Sequence, residues 1–249
     1  CGVIMKRNYL YGFTGLISLV LFWQAGTLLL AQHIQIATDL SPLQTLNSLY
    51  ALSISGEIFP HIWASVQRII VGLTVALLCG IPLGLALGLS KTLEMCCTPA
   101  FQFLRMISPL SWMPIVVMFL GVGDLPVYFL IAFAAIWSLI LSTASGVKSI
   151  DPQWFLLSRS LAASKRETLC HIIVPAITGH ILTGLRVSLG IAWVVLVPCE
   201  MLGVNEGLGY FILDTRDRLA YSELMAAVIV IGLIGWGLDS LLRLGIRTK

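Results

Sequence analysis

Leu156–Pro175 reads LLSRSLAASKRETLCHIIVP, a polar and basic stretch lodged between long apolar runs. Arg159, Lys165, Arg166 and Glu167 gather there, and ionised groups of this kind are too costly to leave in hydrocarbon. The stretch must therefore be presented to water or to a partner. Leu157, Leu161, Leu169 and Ile172 recur near helical spacing, which predicts a short amphipathic helix with a charged face. A membrane-embedded chain would offer such a helix to a soluble subunit.

The surroundings of this stretch are those of a membrane protein. Hydrophobic residues make up 58% of the 249, and charged residues only 11%. Mean hydropathy is +0.95. A soluble domain carries about 25% charged residues, so this chain cannot cover a water-facing surface. At about 20 residues per crossing the length accommodates roughly six spans, with little left for a second domain. A single membrane domain over 1–249 is expected, all-α and polytopic.

Six helical runs are predicted: Tyr9–Gln32, Ile62–Leu89, Pro99–Leu120, Pro126–Val147, Gly179–Leu202 and Leu224–Leu244. Between the first two, residues 41–57 place Leu43, Leu46, Leu49, Tyr50 and Ile54 on one stripe, which suits a helix lying along the outer membrane surface. Pro82, Pro109, Pro114 and Pro198 are expected to bend or break their helices. Gly80, Gly84 and Gly88, and likewise Gly184, Ser188 and Ala192, offer close helix approach. Met5-Lys6-Arg7 looks like a natural start, with the first four residues lying upstream of it.

Charge gives the orientation. With the N-terminus inside, the inner segments hold Lys6, Arg7, Lys91, Arg105, Lys148, Arg159, Lys165, Arg166, Arg243, Arg247 and Lys249, eleven of the fifteen basic residues. Arg216 and Arg218 fall outside, and Arg68 and Arg186 near span ends. This positive-inside bias places both termini and the loop at about 151–176 in the cytoplasm.

Signs of chemistry are few. No glycine-rich loop ends in Gly-Lys-Ser/Thr and no His-Glu-x-x-His occurs, so neither nucleotide nor zinc is expected to bind this chain. His33 and His61 are expected outside, His171 and His180 near the inner face, and no catalytic pair or disulfide framework is read from the six cysteines. Glu200 has two readings: a pathway or gate carboxylate facing water, or a helix-end carboxylate bonded to backbone or to an arginine. Arg186 and Arg68 either steer an anion or snorkel to headgroups. Trp193 either lines a cavity or packs. Glu200, Arg186 and Trp193 are the candidates for a translocation path.

The Leu156 stretch resembles the EAA loop of binding-protein-dependent ABC importer permeases, whose pattern is Glu-Ala-Ala, a Gly after three more residues, then Ile-x-Leu-Pro. Ile172, Val174 and Pro175 match its second half, Ala162 stands at the Gly position, and Leu156, Leu157 and Ser158 replace Glu-Ala-Ala. Ser41-Pro42-Leu43, SVQRIIVGLTVALLCGIPLGLALGLS from Ser65, SPLSWMPI from Ser108, TGLRVSLGIAWVVLVPCEML from Thr183 and Gly207-Leu208-Gly209-Tyr210 are similar to the nitrate, sulfonate, taurine and bicarbonate branch. The resemblance implies a type I importer permease fold in a bacterial inner membrane and no ATP site on the chain. It also implies a second permease copy, two cytoplasmic ATPase subunits and a periplasmic or lipid-anchored solute-binding protein. Leu161, Ala162, Ala163, Ser164, Lys165, Arg166, Glu167 and Pro175 would be the elements that couple to the ATPase. The alternative is a stand-alone secondary transporter or channel. That class wants several ionisable residues at mid-membrane, and almost none is expected here beyond Glu200.

Overall fold

The computed structural model describes the backbone of residues 2–32 and 36–247, with side chains from 14 to 243 except 33–35. Cys1, His33 and Lys249 lie outside the described residues, as do the side chains of Lys6, Arg7 and Arg247. The helices are α1 (Gly2–Ala31), α2 (Ile36–Asp39), α3 (Pro42–Ser55), α4 (Ile58–Leu89), α5 (Lys91–Met106) and α6 (Met113–Leu120). They continue with α7 (Asp124–Lys148), α8 (Pro152–Ser160), α9 (Lys165–Thr168), α10 (Val174–Gly203), α11 (Leu208–Asp217) and α12 (Tyr221–Arg247). Among the described residues five helices are long and apolar enough to cross a membrane, and a sixth crossing is present if α5 and α6 together make one span.

The third predicted run needs correction. Instead of one helix over Pro99–Leu120, α5 and α6 meet at a bend of 86°. The cause is local: Ile107 and Ser108 take extended ψ values of 127° and 128°, and Ser108 precedes Pro109, whose ring disfavours the helical conformation in the residue before it. Pro109–Trp112 then forms a 3₁₀ turn that leads into α6. Pro82 and Pro198, by contrast, sit inside unbroken α4 and α10, so only two of the four expected prolines mark a break.

The chain groups into two compact units. One comprises 1–61 with 211–232, the other 62–210 with 233–249. In the first, the Trp23 indole donates to the Leu40 carbonyl at 3.0 Å. Ser41 caps α3 by accepting from the Gln44 amide, and Leu43, Leu46, Tyr50 and Ile54 form an exposed apolar stripe along it. That is the surface a helix needs to lie on a bilayer.

The second unit is built around α7, whose Val127, Leu130, Ile131, Ala135 and Leu139 are fully buried. On one side α4 runs parallel to it. A β-carbon added at Gly72, Gly80, Gly84 or Gly88 would come within 3.0 Å of Ile131, Leu139, Thr143 or Val147 respectively. On the other side α10 runs antiparallel, with Gly146 against His180, Gly184 against Ser142, and the Ser188 hydroxyl donating to the Ala135 carbonyl at 2.8 Å. Small residues thus bring three long helices into contact where lipid offers no hydrophobic drive to separate or join them.

Candidate functional site

The 156–175 stretch folds as an elbow of two short helices, not as the single amphipathic helix expected from its spacing. Asp151 caps α8, its carboxylate accepting from the Gln153 amide at 2.9 Å, and Pro152 occupies the first turn, where no amide is needed. The helix ends when the Ala163 amide donates to the Ser158 carbonyl (2.9 Å) and the Ala162 amide to that of Arg159 (3.0 Å). This pair of reversed bonds is a Schellman close, and it puts Ala162 in the left-handed region at φ 50°. Glycine is the residue that adopts this conformation without cost, so the position where the resemblance wants Gly is the position where the backbone asks for one.

The second arm is capped in turn. The Ser164 hydroxyl accepts from the Glu167 amide at 3.2 Å, while a Glu167 carboxylate oxygen accepts from the Ser164 amide at 2.7 Å. The Ser164 amide, and then its hydroxyl, which donates to the same carboxylate oxygen at 2.8 Å, hold the Glu167 carboxyl below the usual carboxylate range. Leu169–Ile173 forms one wide π turn, closed by the Val174 amide on the Leu169 carbonyl, and passes directly into α10. Pro175 supplies no amide and crowds the carbonyl four residues back; a widened turn accommodates both.

Val147, Ile173 and Ile177 are buried together and anchor the elbow to α7 and α10. Outward it shows Trp154, Leu156, Leu157 and Leu161, all at least 47% exposed, beside exposed Lys165, Arg166 and Glu167. A groove runs between Trp154, Leu157, Leu161, Ala163 and His171. Of the eight predicted coupling residues, Leu161, Ala163 and Glu167 line this groove, Ala162, Ser164, Lys165 and Arg166 are exposed between them, and Pro175 lies apart in the first turn of α10.

The three path candidates are not brought together. Glu200 lies near the far end of α10, wholly buried. Its carboxylate accepts from the Ser65 hydroxyl (2.8 Å), Arg68 Nη1 (2.8 Å) and the Gly209 amide (2.9 Å). Arg68 also reaches Asp124 through Nε (2.8 Å) and the Glu206 carbonyl through Nη1 (2.6 Å), and the Ser65 hydroxyl accepts from the Leu208 amide. Of the two readings of Glu200, its partners are those of the arginine-bonded carboxylate. Arg68 does not snorkel: only 5% exposed, it is held by two anions, Glu200 and Asp124. Gly207, at φ +117°, closes over this cluster; a β-carbon there would come within 2.4 Å of Arg68 and 2.5 Å of Glu200.

Arg186 and Trp193 lie toward the elbow, Arg186 being fourteen residues or about 21 Å along α10 from Glu200. Arg186 Nε donates to Asp239 of α12 at 2.6 Å, and Trp193 packs its indole edge against Gly235 of the same helix. Sequence reading missed Asp239, Asp124 and Ser65. Asp239 carried a signal, an acid inside an apolar run. Asp239 and Arg186 form a second charged pair within apolar helical runs, partly exposed where Glu200 is buried.

Comparison with known proteins gives a consistent result. Residues 80–246 match the family described as binding-protein-dependent transport system inner membrane component. The chain is 32% identical to the taurine transport system permease protein TauC of Escherichia coli K12 over 234 residues, covering 92% of this chain and 82% of that protein. It is 35% identical to the nitrate import permease protein NrtB of Synechocystis sp. over 80% of this chain and 76% of that one. It is 31% identical to the putative aliphatic sulfonates transport permease protein SsuC of Bacillus subtilis, covering 82% and 74%. Among solved structures, inward-facing MetNI methionine ABC transporter matches with TM-score 0.61 at 13% identity, over 77% of this chain and 97% of that one. An amino acid ABC transporter structure matches with TM-score 0.60 at 15% identity, covering 81% and 98%. At these identities the two structures establish the shared fold, that of an importer permease.

Proposed function

The chain belongs to the binding-protein-dependent transport system inner membrane component family, and we propose that it forms the path for a small anion or organosulfur solute, with the 156–175 elbow as its link to an ATPase. As a multi-pass permease subunit it has no ATP site of its own; ATP is bound by the partner. The relatives are a nitrate import permease, a taurine transport permease and a putative aliphatic sulfonates transport permease, and a bicarbonate transport permease is 36% identical over 71% of this chain, which together support the substrate class.

The observation that carries the coupling reading is the elbow. Two capped arms, seated on α7 and α10, turn an apolar ridge and two cations outward, and α9 runs through the π turn into α10. A soluble ATPase that closes on ATP would move this rigid piece, and α10 with it. Coupling requires that the closed partner favour one arrangement of the spans over another, and a stiff lever transmits such a bias. Two copies of the chain, two cytoplasmic ATPase subunits and a solute-binding protein complete the assembly. Both termini and the elbow lie in the cytoplasm of a bacterial inner membrane, as the basic residues distribute.

The test is the double charge reversal Lys165→Glu/Arg166→Glu. ATPase co-purification drops at least tenfold while membrane insertion is unchanged; full ATPase recovery with normal uptake refutes the docking role. Growth of a deletion strain on nitrate, taurine or an alkanesulfonate as nitrogen or sulfur source picks the solute.

A further inference from the structure

Two charges interrupt apolar helical runs, and a third closes one of them. Arg186 lies in the long run Lys165–Gly203 and Asp239 in Tyr221–Arg243, with Arg243 at the end of the latter, on the side that the basic residues mark as cytoplasmic. Their side chains are 38%, 31% and 60% exposed, so they are not sealed away like Glu200. Charges this exposed are too costly to leave against acyl chains, so this face of α10 and α12 meets water, headgroups or protein. One anion is shared between two cations: Arg186 Nε and Nη2 reach Oδ1 and Oδ2 of Asp239 at 2.6 and 3.4 Å, and Arg243 Nε reaches Oδ2 at 2.8 Å. The cluster is left with one net positive charge.

Beside it an open cleft of about 120 Å³ is lined by Leu189, Gly190, Trp193, Gly235, Leu238 and Asp239. Gly190 leaves one side of it free of a side chain, while the Trp193 indole lies over Gly235, where a β-carbon would fall 2.7 Å from Nε1. Its size admits a small solute and no polymer.

Resting on the reading of this chain as an anion permease, we propose that the Nε/Nη2 edge of Arg186 is an oxyanion subsite on the path and that Asp239 is its built-in competitor. The edge that now holds a carboxylate side-on is the edge that fits two oxygens of a nitrate, a bicarbonate or a sulfonate. An arriving oxyanion takes the place of Asp239 on Arg186, and Arg243, four residues along α12, keeps the displaced carboxylate neutralised. Competition of this kind holds the affinity low enough for the solute to leave, which conduction requires.

Sodium nitrate and sodium ethanesulfonate, titrated by calorimetry into the purified full chain in lipid nanodiscs with gluconate as the balancing anion, test this directly. The unmodified chain binds weakly, and Asp239→Asn, which removes the competitor, tightens binding about tenfold. Arg186→Lys keeps the charge and a partner for Asp239 but loses the planar fork, and weakens binding about tenfold. If Asp239→Asn does not fold, the affinity of Arg186→Lys against that of the unmodified chain decides between the outcomes. Equal affinity in the Arg186→Lys and unmodified chains, or no binding of either anion to any variant, overturns the subsite. No ATPase is present, so this outcome is independent of whether the elbow docks one.

Discussion

The two ends of α10 hold charge in opposite ways. At the Glu200 end an arginine, a hydroxyl and two backbone amides are locked together around a carboxylate with no exposed surface, with half-exposed Asp124 on the far side of the arginine. At the elbow end the Arg186–Asp239–Arg243 trio is half-open, and beyond it the elbow presents its charges freely. A closed network fixes position because its buried members, Glu200, Ser65 and Arg68, would lose a buried partner if any one of them withdrew. An open one can trade partners. The contrast teaches that a carboxylate in a span is not evidence of a path until its surroundings are known.

The hardest blow to this contrast would come from Glu200→Ala. Removing the carboxylate leaves the buried Ser65 hydroxyl and Gly209 amide without their acceptor and Arg68 with only Asp124 and the Glu206 carbonyl, and a loss of about 3 kcal/mol is expected. Thermal unfolding in detergent should place this variant well below Arg186→Gln, which opens a site already half in water. Equal midpoints for the two would erase the distinction between the ends.

Ala162→Gly sharpens it from the elbow side. The left-handed backbone at φ 50° costs a side-chain-bearing residue about 1 kcal/mol, which glycine avoids. The expected result is a stabler elbow, read as slower amide exchange at Ala162 and Ala163, with Glu200-end exchange unchanged. Faster exchange at those two amides would mean the Schellman close is not the conformation in solution.

The gentlest probe is pH. The Glu167 carboxyl is held below its ordinary range in the folded state, so its contribution is complete above the unfolded value and disappears as pH falls through the lowered one. Acidification to the bottom of the carboxylate range should therefore fray Lys165–Thr168, seen as faster exchange of the Glu167 amide. Glu167→Gln should be fraying-prone already at neutral pH and indifferent to the change.

How much of this could be read in advance differs residue by residue. The crossings follow from hydropathy and the turning point at Ala162 from its place in the loop pattern, since both are local. The bend after Met106 was written in Ser108-Pro109, but Pro82 and Pro198 carry the same letter inside unbroken helices, and only packing tells them apart. The partners of Glu200 come from positions as far as 135 residues away and those of Arg186 from 53, separations over which no periodicity speaks. Gly207 and Gly209 were the one available hint, two residues without side chains following an intramembrane acid.

One consequence of the α4–α7 contact reaches further. With Gly72, Gly80, Gly84 and Gly88 each facing a branched or bulky side chain of α7, the pair is keyed like a shaft in a slot. Sliding one past the other by even part of a turn would drive Ile131, Leu139, Thr143 and Val147 out of their notches and onto larger neighbours. Whatever motion carries solute across, these two helices must travel as one piece, and the give has to be found elsewhere in the bundle.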